Sequence, residues 1–219
     1  RQKKVTEIRN KLFSFAGGQT KAIPFGTALQ YAEQAEKNTG TPAAFVLAIL
    51  TQESALGANV GKCYLTDKDT GAAINVNGKT TYKNGMKPTR DVIPFINITT
   101  SLGMDPYKTV VSCPIAGVAG WGGAMGPAQF IASTWQGVAS RVAAATGSSN
   151  PWSARDSIMA SSIYLSDLGA NSSYSSQIKA ACRYYGSGGT SCSYGKSVMG
   201  RVTKIQADID YLKQYGAKN

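Results

Sequence analysis

Glu53 is the side chain on which the chemistry of this sequence turns. The chain has no histidine, so a Ser-His-Asp or Cys-His nucleophile, an imidazole base and a His-ligated catalytic zinc are all excluded. An acid or base working near neutral pH must then be a tuned carboxylate, Lys, Cys or Tyr. Only four glutamates occur, Glu7, Glu33, Glu36 and Glu53, and none follows position 53. Glu7, Glu33 and Glu36 fall on polar helix faces among Lys and Gln, where a carboxylate is ordinarily solvated. Glu53 instead lies four residues after Ile49, three after Leu50 and eight after Phe45, so it prolongs an apolar stripe. Burial there would raise its pKa and keep it protonated as a proton donor to a leaving oxygen. Position alone equally allows the helix to roll until Glu53 reaches water, with Gln52 and Ser54 forming a polar helix end.

The elements that position this residue are mostly helical. A helix is predicted from about Phe25 to Lys37, with Ala28, Tyr31, Ala32 and Ala35 on one face. The next has Thr41 as N-cap, Pro42 at the first helical position and Gly57 as a stop. Residues 1–15 carry Val5, Ile8, Leu12 and Phe13 at helical spacing and read as a separate N-terminal helix over 1–20, the end of a coiled coil or linker. The main domain is expected over 21–219, with an insertion at about 61–116. Within the insertion, Ala73–Tyr82 reads as a short hairpin about Asn77-Gly78, and a helix is expected over Asp91–Leu102 with Pro94 in its first turn. The five glycines between Gly117 and Gly126 require a tight loop. Helical spacing returns at Ser133–Thr146, Asp156–Leu168, Ser175–Tyr185 and Lys196–Gln214.

Three ordered stretches sharpen the reading: TQESALG around Glu53, GAMGPAQFIASTW at Gly123–Trp135 and ACRYYGSG at Ala181–Gly188. Together, from about Pro24 to Leu212, they resemble the lytic transglycosylase family. The resemblance is nearest to the membrane-bound murein transglycosylase B type and implies a goose-lysozyme-like fold, mostly α with a small β-hairpin insertion. It implies that Glu53 is the single catalytic acid and that Ser54 orients it. Gln129 would contact the glycan, and Ala124, Met125 and Gly126, with Gly123, would form a backbone wall beside the scissile bond. Tyr184 or Tyr185 would hydrogen-bond the catalytic carboxylate; the pair is ambiguous by one position because Tyr185 stands where relatives carry asparagine. The implied reaction cleaves the glycosidic bond between N-acetylmuramic acid and N-acetylglucosamine in peptidoglycan without water, giving 1,6-anhydromuramoyl ends, and needs no cofactor and no metal. A hydrolytic muramidase of the same fold is the alternative, since Asp67, Asp69, Asp91, Asp105 or Asp156 placed opposite Glu53 would supply a second carboxylate. A silent glycan-binding wall module is the other. Of the tryptophans, Trp121 is the best suited to stack on a sugar, while Trp135 and Trp152 fit core packing better.

Composition bears on compartment and partners. Cys63, Cys113, Cys182 and Cys192 are an even set without a C-x-x-C pair, which favours disulfides and an exported protein, at the cell wall, in the periplasm, outside the cell or carried by a phage. Three pairings are open, and proximity favours Cys63–Cys113 with Cys182–Cys192. No signal peptide or membrane span is visible, and the chain is expected to be a mature domain or a fragment of a longer exported protein, acting as a monomer. The formal net charge of +11 points to an anionic partner. Scattered basic residues and the lack of any nucleic-acid motif favour an anionic cell-wall surface over DNA or RNA.

Overall fold

The computed structural model describes Lys4 and residues 22–216; the helix expected over residues 1–20 otherwise lies outside the described residues. In chain order the elements are α1 (Phe25–Thr39), α2 (Ala43–Ser54), β1 (Cys63–Leu65), β2 (Ala73–Asn75), β3 (Thr81–Tyr82), α3 (Ile93–Ser101), α4 (Ala132–Thr146), α5 (Ala154–Asp167), α6 (Tyr174–Tyr185) and α7 (Ser193–Tyr215). The predicted helices that fall within the described residues are present within about three residues of their expected ends.

Helix α2 is the centre of the molecule. Its residues from Ala43 to Leu50 are all buried, so the stripe read from the sequence is an apolar surface all round, as a core helix requires. It is packed by α1, α5 and α7. Burying Phe45, Leu47, Ile49 and Leu50 in this way stabilises the fold by roughly 1.5–3 kcal/mol for each side chain.

The start of α2 differs from expectation. Pro42, not Thr41, is the residue flanking the helix, and the Thr41 hydroxyl is turned to α5, where it donates to Ser162 O. The cap comes from α1 instead: the Glu36 carboxylate accepts the Ala43 N–H at 2.9 Å. A negative charge at a helix N-terminus satisfies an orphan donor and complements the dipole. Asp91 serves α4 in the same manner, accepting from the Ser133 N–H at 3.2 Å and its hydroxyl at 2.7 Å.

Between α2 and α4 the chain forms a three-stranded antiparallel sheet in the order β1-β2-β3, with Cys63 opposite Asn75 and Ala73 opposite Tyr82. The β2–β3 hairpin turns where Asn77 and Gly78 predicted it. Strand β1 was not anticipated, because three residues are too few for an alternating pattern to declare itself. Cys63–Cys113 and Cys182–Cys192 are both disulfide-bonded, the first fastening the sheet to the glycine-rich loop and the second joining α6 to α7. Before α3 the chain makes a wide turn over Pro88–Val92, and Pro94 sits in the first turn of the helix as expected.

Candidate active site

Glu53 occupies the last turn of α2, half-buried. Burial pushes its carboxyl group up from 4.5 to about 7, offset in part by a hydrogen bond from Tyr194, whose hydroxyl lies 2.5 Å from Oε1. The bond is between a carboxyl group and a phenol whose own pKa burial drives well above the ordinary range, so the proton stays on Tyr194 and the tyrosine is a donor. No acidic neighbour contributes to the shift at Glu53, whose causes are burial and Tyr194.

The backbone after Glu53 is in an unusual state. Ala55, Leu56 and Gly57 have φ values of 50°, 55° and 88°, three left-handed residues in succession. Two of them bear side chains, at a cost of roughly 1–2 kcal/mol each. Among the described residues the only other non-glycine with positive φ is Gln129, at 54°, so all such strain lies on the two segments that meet here. Strain concentrated in this way is a mark of functional sites.

Ser54 is the clamp between those segments. Its buried hydroxyl donates to Pro127 O at 2.6 Å and accepts from the Gly57 N–H at 2.8 Å. Ser54, expected to orient the Glu53 carboxylate, thus holds the helix end that carries it against the Gly123–Phe130 loop. Within that loop Met125 pairs with Phe130, and Gln129 turns its Nε2 to Gly126 O at 2.9 Å. Met125 is fully buried in the core. At Gly126 an added Cβ would stand 1.9 Å from Pro151 O, so glycine is required there by the protein's own chain. The Ala124 N–H is bonded to the Ser112 hydroxyl at 2.9 Å.

The two tyrosines that end α6 do not bond to Glu53. The Tyr184 hydroxyl donates to Ala128 O at 2.7 Å, and its ring packs with Phe130 and Tyr164. Tyr185 is exposed and stacks on Tyr194, ring centroids 4.8 Å apart. A tyrosine at the end of α6 falls short because the contact is made from α7, on the far side of the Cys182–Cys192 disulfide. Tyr194 stands two residues after Cys192, and Gly195 next to it is so close to the bridge that an added Cβ would lie 2.7 Å from the Cys182 sulfur. Only the recurrence of cysteine ten residues after Cys182 hinted that Tyr194 returns to this place.

A groove of about 420 Å³ opens beside the pair, lined by Gln52, Tyr185, Ser187, Cys192, Ser193, Tyr194 and Ser197. Gln52 is held there by Ser197 and Arg201, each donating to its Oε1 at 2.9 Å. Among the tryptophans, Trp135 is core, Trp152 bonds to Val110 O and packs edge-on to Phe95, and Trp121 is 41% exposed. The five aspartates that would make a second catalytic carboxylate are engaged elsewhere. Asp67 and Asp105 accept backbone N–H groups of their own turns, and Asp69 pairs with Lys68. Asp91 serves Ser133 and Arg90, and Asp156 accepts from Thr146, Ser148 and Asn150. Asp156 also sits in the first turn of α5, where a negative charge complements the helix dipole as expected. Among the described residues no three His, Cys, Asp or Glu side chains gather as a metal-binding group.

Helices packed round a central one, with a small sheet to one side, make a lysozyme-like fold. A family model described as the transglycosylase SLT domain matches residues 22–190. The chain belongs to that family and is a peptidoglycan lytic transglycosylase. Its fold is similar to that of a 36 kDa muramidase/transglycosylase (TM-score 0.58, 14% identity, 94% of this chain and 80% of that one). It is also similar to the Escherichia coli lytic transglycosylase SLT35 in complex with bulgecin A (TM-score 0.56, 14% identity, 94% and 79%) and to the same protein in complex with calcium (TM-score 0.57, 14% identity, 94% and 79%). A sequence search of curated proteins gives no match.

Proposed function

We propose that Glu53 performs both proton transfers of a non-hydrolytic cleavage of the bond between N-acetylmuramic acid and N-acetylglucosamine. Protonated, it donates to the glycosidic oxygen as the C1–O bond breaks. As carboxylate, it then takes the proton of the muramoyl 6-hydroxyl, whose oxygen closes on C1, assisted by the substrate's own N-acetyl group. The products are a 1,6-anhydromuramoyl end and a free 4-hydroxyl; no water is consumed, and Glu53 ends as it began, protonated.

The observation that carries this reading is the state of Glu53, half-buried, raised to about 7 and bonded to Tyr194 with no acidic neighbour shifting it. A pKa near the working pH suits a group that must give and then regain one proton. Tyr194 fixes the carboxyl rotamer, Tyr185 widens the aromatic floor of the groove, and Gln129 and Trp121 are offered to the sugars. The Gly-Ala-Met-Gly loop supports the murein transglycosylase B subtype. The two disulfides support export, and among the described residues no helix is long and apolar enough to cross a membrane. The protein is read as a monomer drawn to an anionic wall.

Purified wild type and Glu53→Gln on peptidoglycan sacculi, with product masses, test the proposal. Wild type should release anhydromuropeptides and the variant should lose about 10³-fold or more in rate, a loss in line with removal of a group that supplies acid and base in turn. Reducing-end muropeptides in place of anhydro products would make the enzyme a hydrolase.

A further inference from the structure

The α6–α7 end carries a second groove, about 810 Å³ against about 420 Å³ for the one beside Glu53. Its lining is basic: Lys179 and Arg183 lie one turn apart on α6, Lys196 joins them from the first turn of α7, and no Asp or Glu takes part. Among the described residues none of the three has an ion-pair partner. Like charges one turn apart on a helix repel, and the fold sets a third beside them without a carboxylate to offset it. The lining also offers the serine hydroxyls of the start of α6 and an exposed ring, Tyr174. This groove adjoins the first one. Ser191 and Lys196 line it, while their chain neighbours Cys192 and Ser197 line the groove that holds Tyr194, the partner of Glu53, so only the turn that carries Tyr194 separates the two.

We propose that this groove binds the carboxylates of the peptide arms that the glycan bears, and so holds the strand while Glu53 acts on it. The proposal rests on the reading of Glu53 given above. A neutral sugar would be served by rings and hydrogen-bonding groups of both kinds; three uncompensated cations, one an arginine able to grip a carboxylate with two parallel bonds, match an anion. A phosphate-bearing polymer of the wall has the same charge. The peptide arm is favoured because it is covalently part of the strand already seated next door, which gives it a high effective concentration at the groove.

The test compares peptide-bearing glycan strands with strands stripped of peptide by an amidase, both first freed of phosphate polymers by acid extraction, and a third set that keeps those polymers. Wild type should show a KM about fivefold to tenfold lower on peptide-bearing than on stripped strands, the effect of a few exposed charge contacts. The triple variant K179Q/R183Q/K196Q should have one KM for both, with kcat on stripped strands unchanged, and the charge-keeping K179R/K196R should retain the preference. A wild type with no preference, a triple variant that keeps it, or a preference that follows the phosphate polymers would overturn the proposal. Failure of the wild type to cleave even stripped strands would instead strike at Glu53, and this proposal would fall with it.

Discussion

At Glu53 the same burial that prepares the acid costs the fold something. Its pKa is about 7 in the folded protein against 4.5 when exposed, so the folded state holds this proton more tightly than the unfolded chain does. The stabilisation that the bound proton confers is complete below about pH 4.5 and is lost as the pH rises through about 7, up to ~3 kcal/mol in all. Glu53→Gln has no charge to bury, and its amide oxygen can still accept from Tyr194. The variant should match wild type in urea unfolding near pH 4.5 and exceed it by about 1–3 kcal/mol at pH 8; equal stability at both would mean that Glu53 is hydrated and ordinary. Tyr194→Phe probes the other contribution. The lost bond favoured the carboxylate, so the pKa should climb further and the alkaline limb of the activity profile should move up by about one unit, with kcat down about tenfold as the carboxyl loses its fixed orientation. An unmoved limb would remove Tyr194 from the site. Glu53 could be singled out from a helical repeat because its neighbours in space are also neighbours in sequence. Tyr194 could not, since its partner is 141 residues away and nothing local distinguishes it from the other tyrosines.

At the scale of elements, the site is an agreement between four segments: the end of α2, the Gly123–Phe130 loop, the end of α6 and the start of α7. Helix periodicity and breakers marked each of them, and the helices fall where they were expected. What periodicity could not supply is how the ends are tied. Glu36 caps the helix after its own, Asp91 caps α4 from 42 residues away, and Ser54 reaches Pro127, 73 residues on; the last two bonds leave no local pattern, and the first crosses from one helix to the next. The disulfides separate stability from positioning. Cys182–Cys192 closes 10 residues and Cys63–Cys113 closes 50, so loop entropy assigns them about 2.5 and 4 kcal/mol respectively. Serine replacement of Cys63 and Cys113 should therefore lower Tm further, yet leave the pH profile alone. Serine replacement of Cys182 and Cys192 should cost less stability but reproduce the pH shift of Tyr194→Phe, because Tyr194 rides on that bridge. If both pairs altered only Tm, the bridge would have no part in holding the acid.

Over the whole molecule, the net charge of +11 was the least specific feature of the sequence, compatible with nucleic acid, membrane or wall. Its distribution gives it direction. The two aspartates buried most deeply, Asp91 and Asp156, are each paired with the arginine beside them and spent on holding helices, and no glutamate is present beyond α2 to oppose the lysines there. The α6–α7 end, next to the groove that Tyr194 lines, thus gathers Lys179, Arg183 and Lys196. A field of this kind acts through solvent and is screened over about 10 Å at 0.1 M salt, whereas the proton transfers proposed for half-buried Glu53 are not. Raising NaCl from about 50 to about 300 mM should therefore weaken binding of the inactive Glu53→Gln protein to sacculi several-fold. The same change should raise the wild-type KM in parallel and leave kcat and the pH limb nearly where they were. A kcat that falls with salt while binding holds would mean that the surface charge acts on the chemistry itself, and the proposed division of labour between a cationic face and a half-buried acid would have to be abandoned.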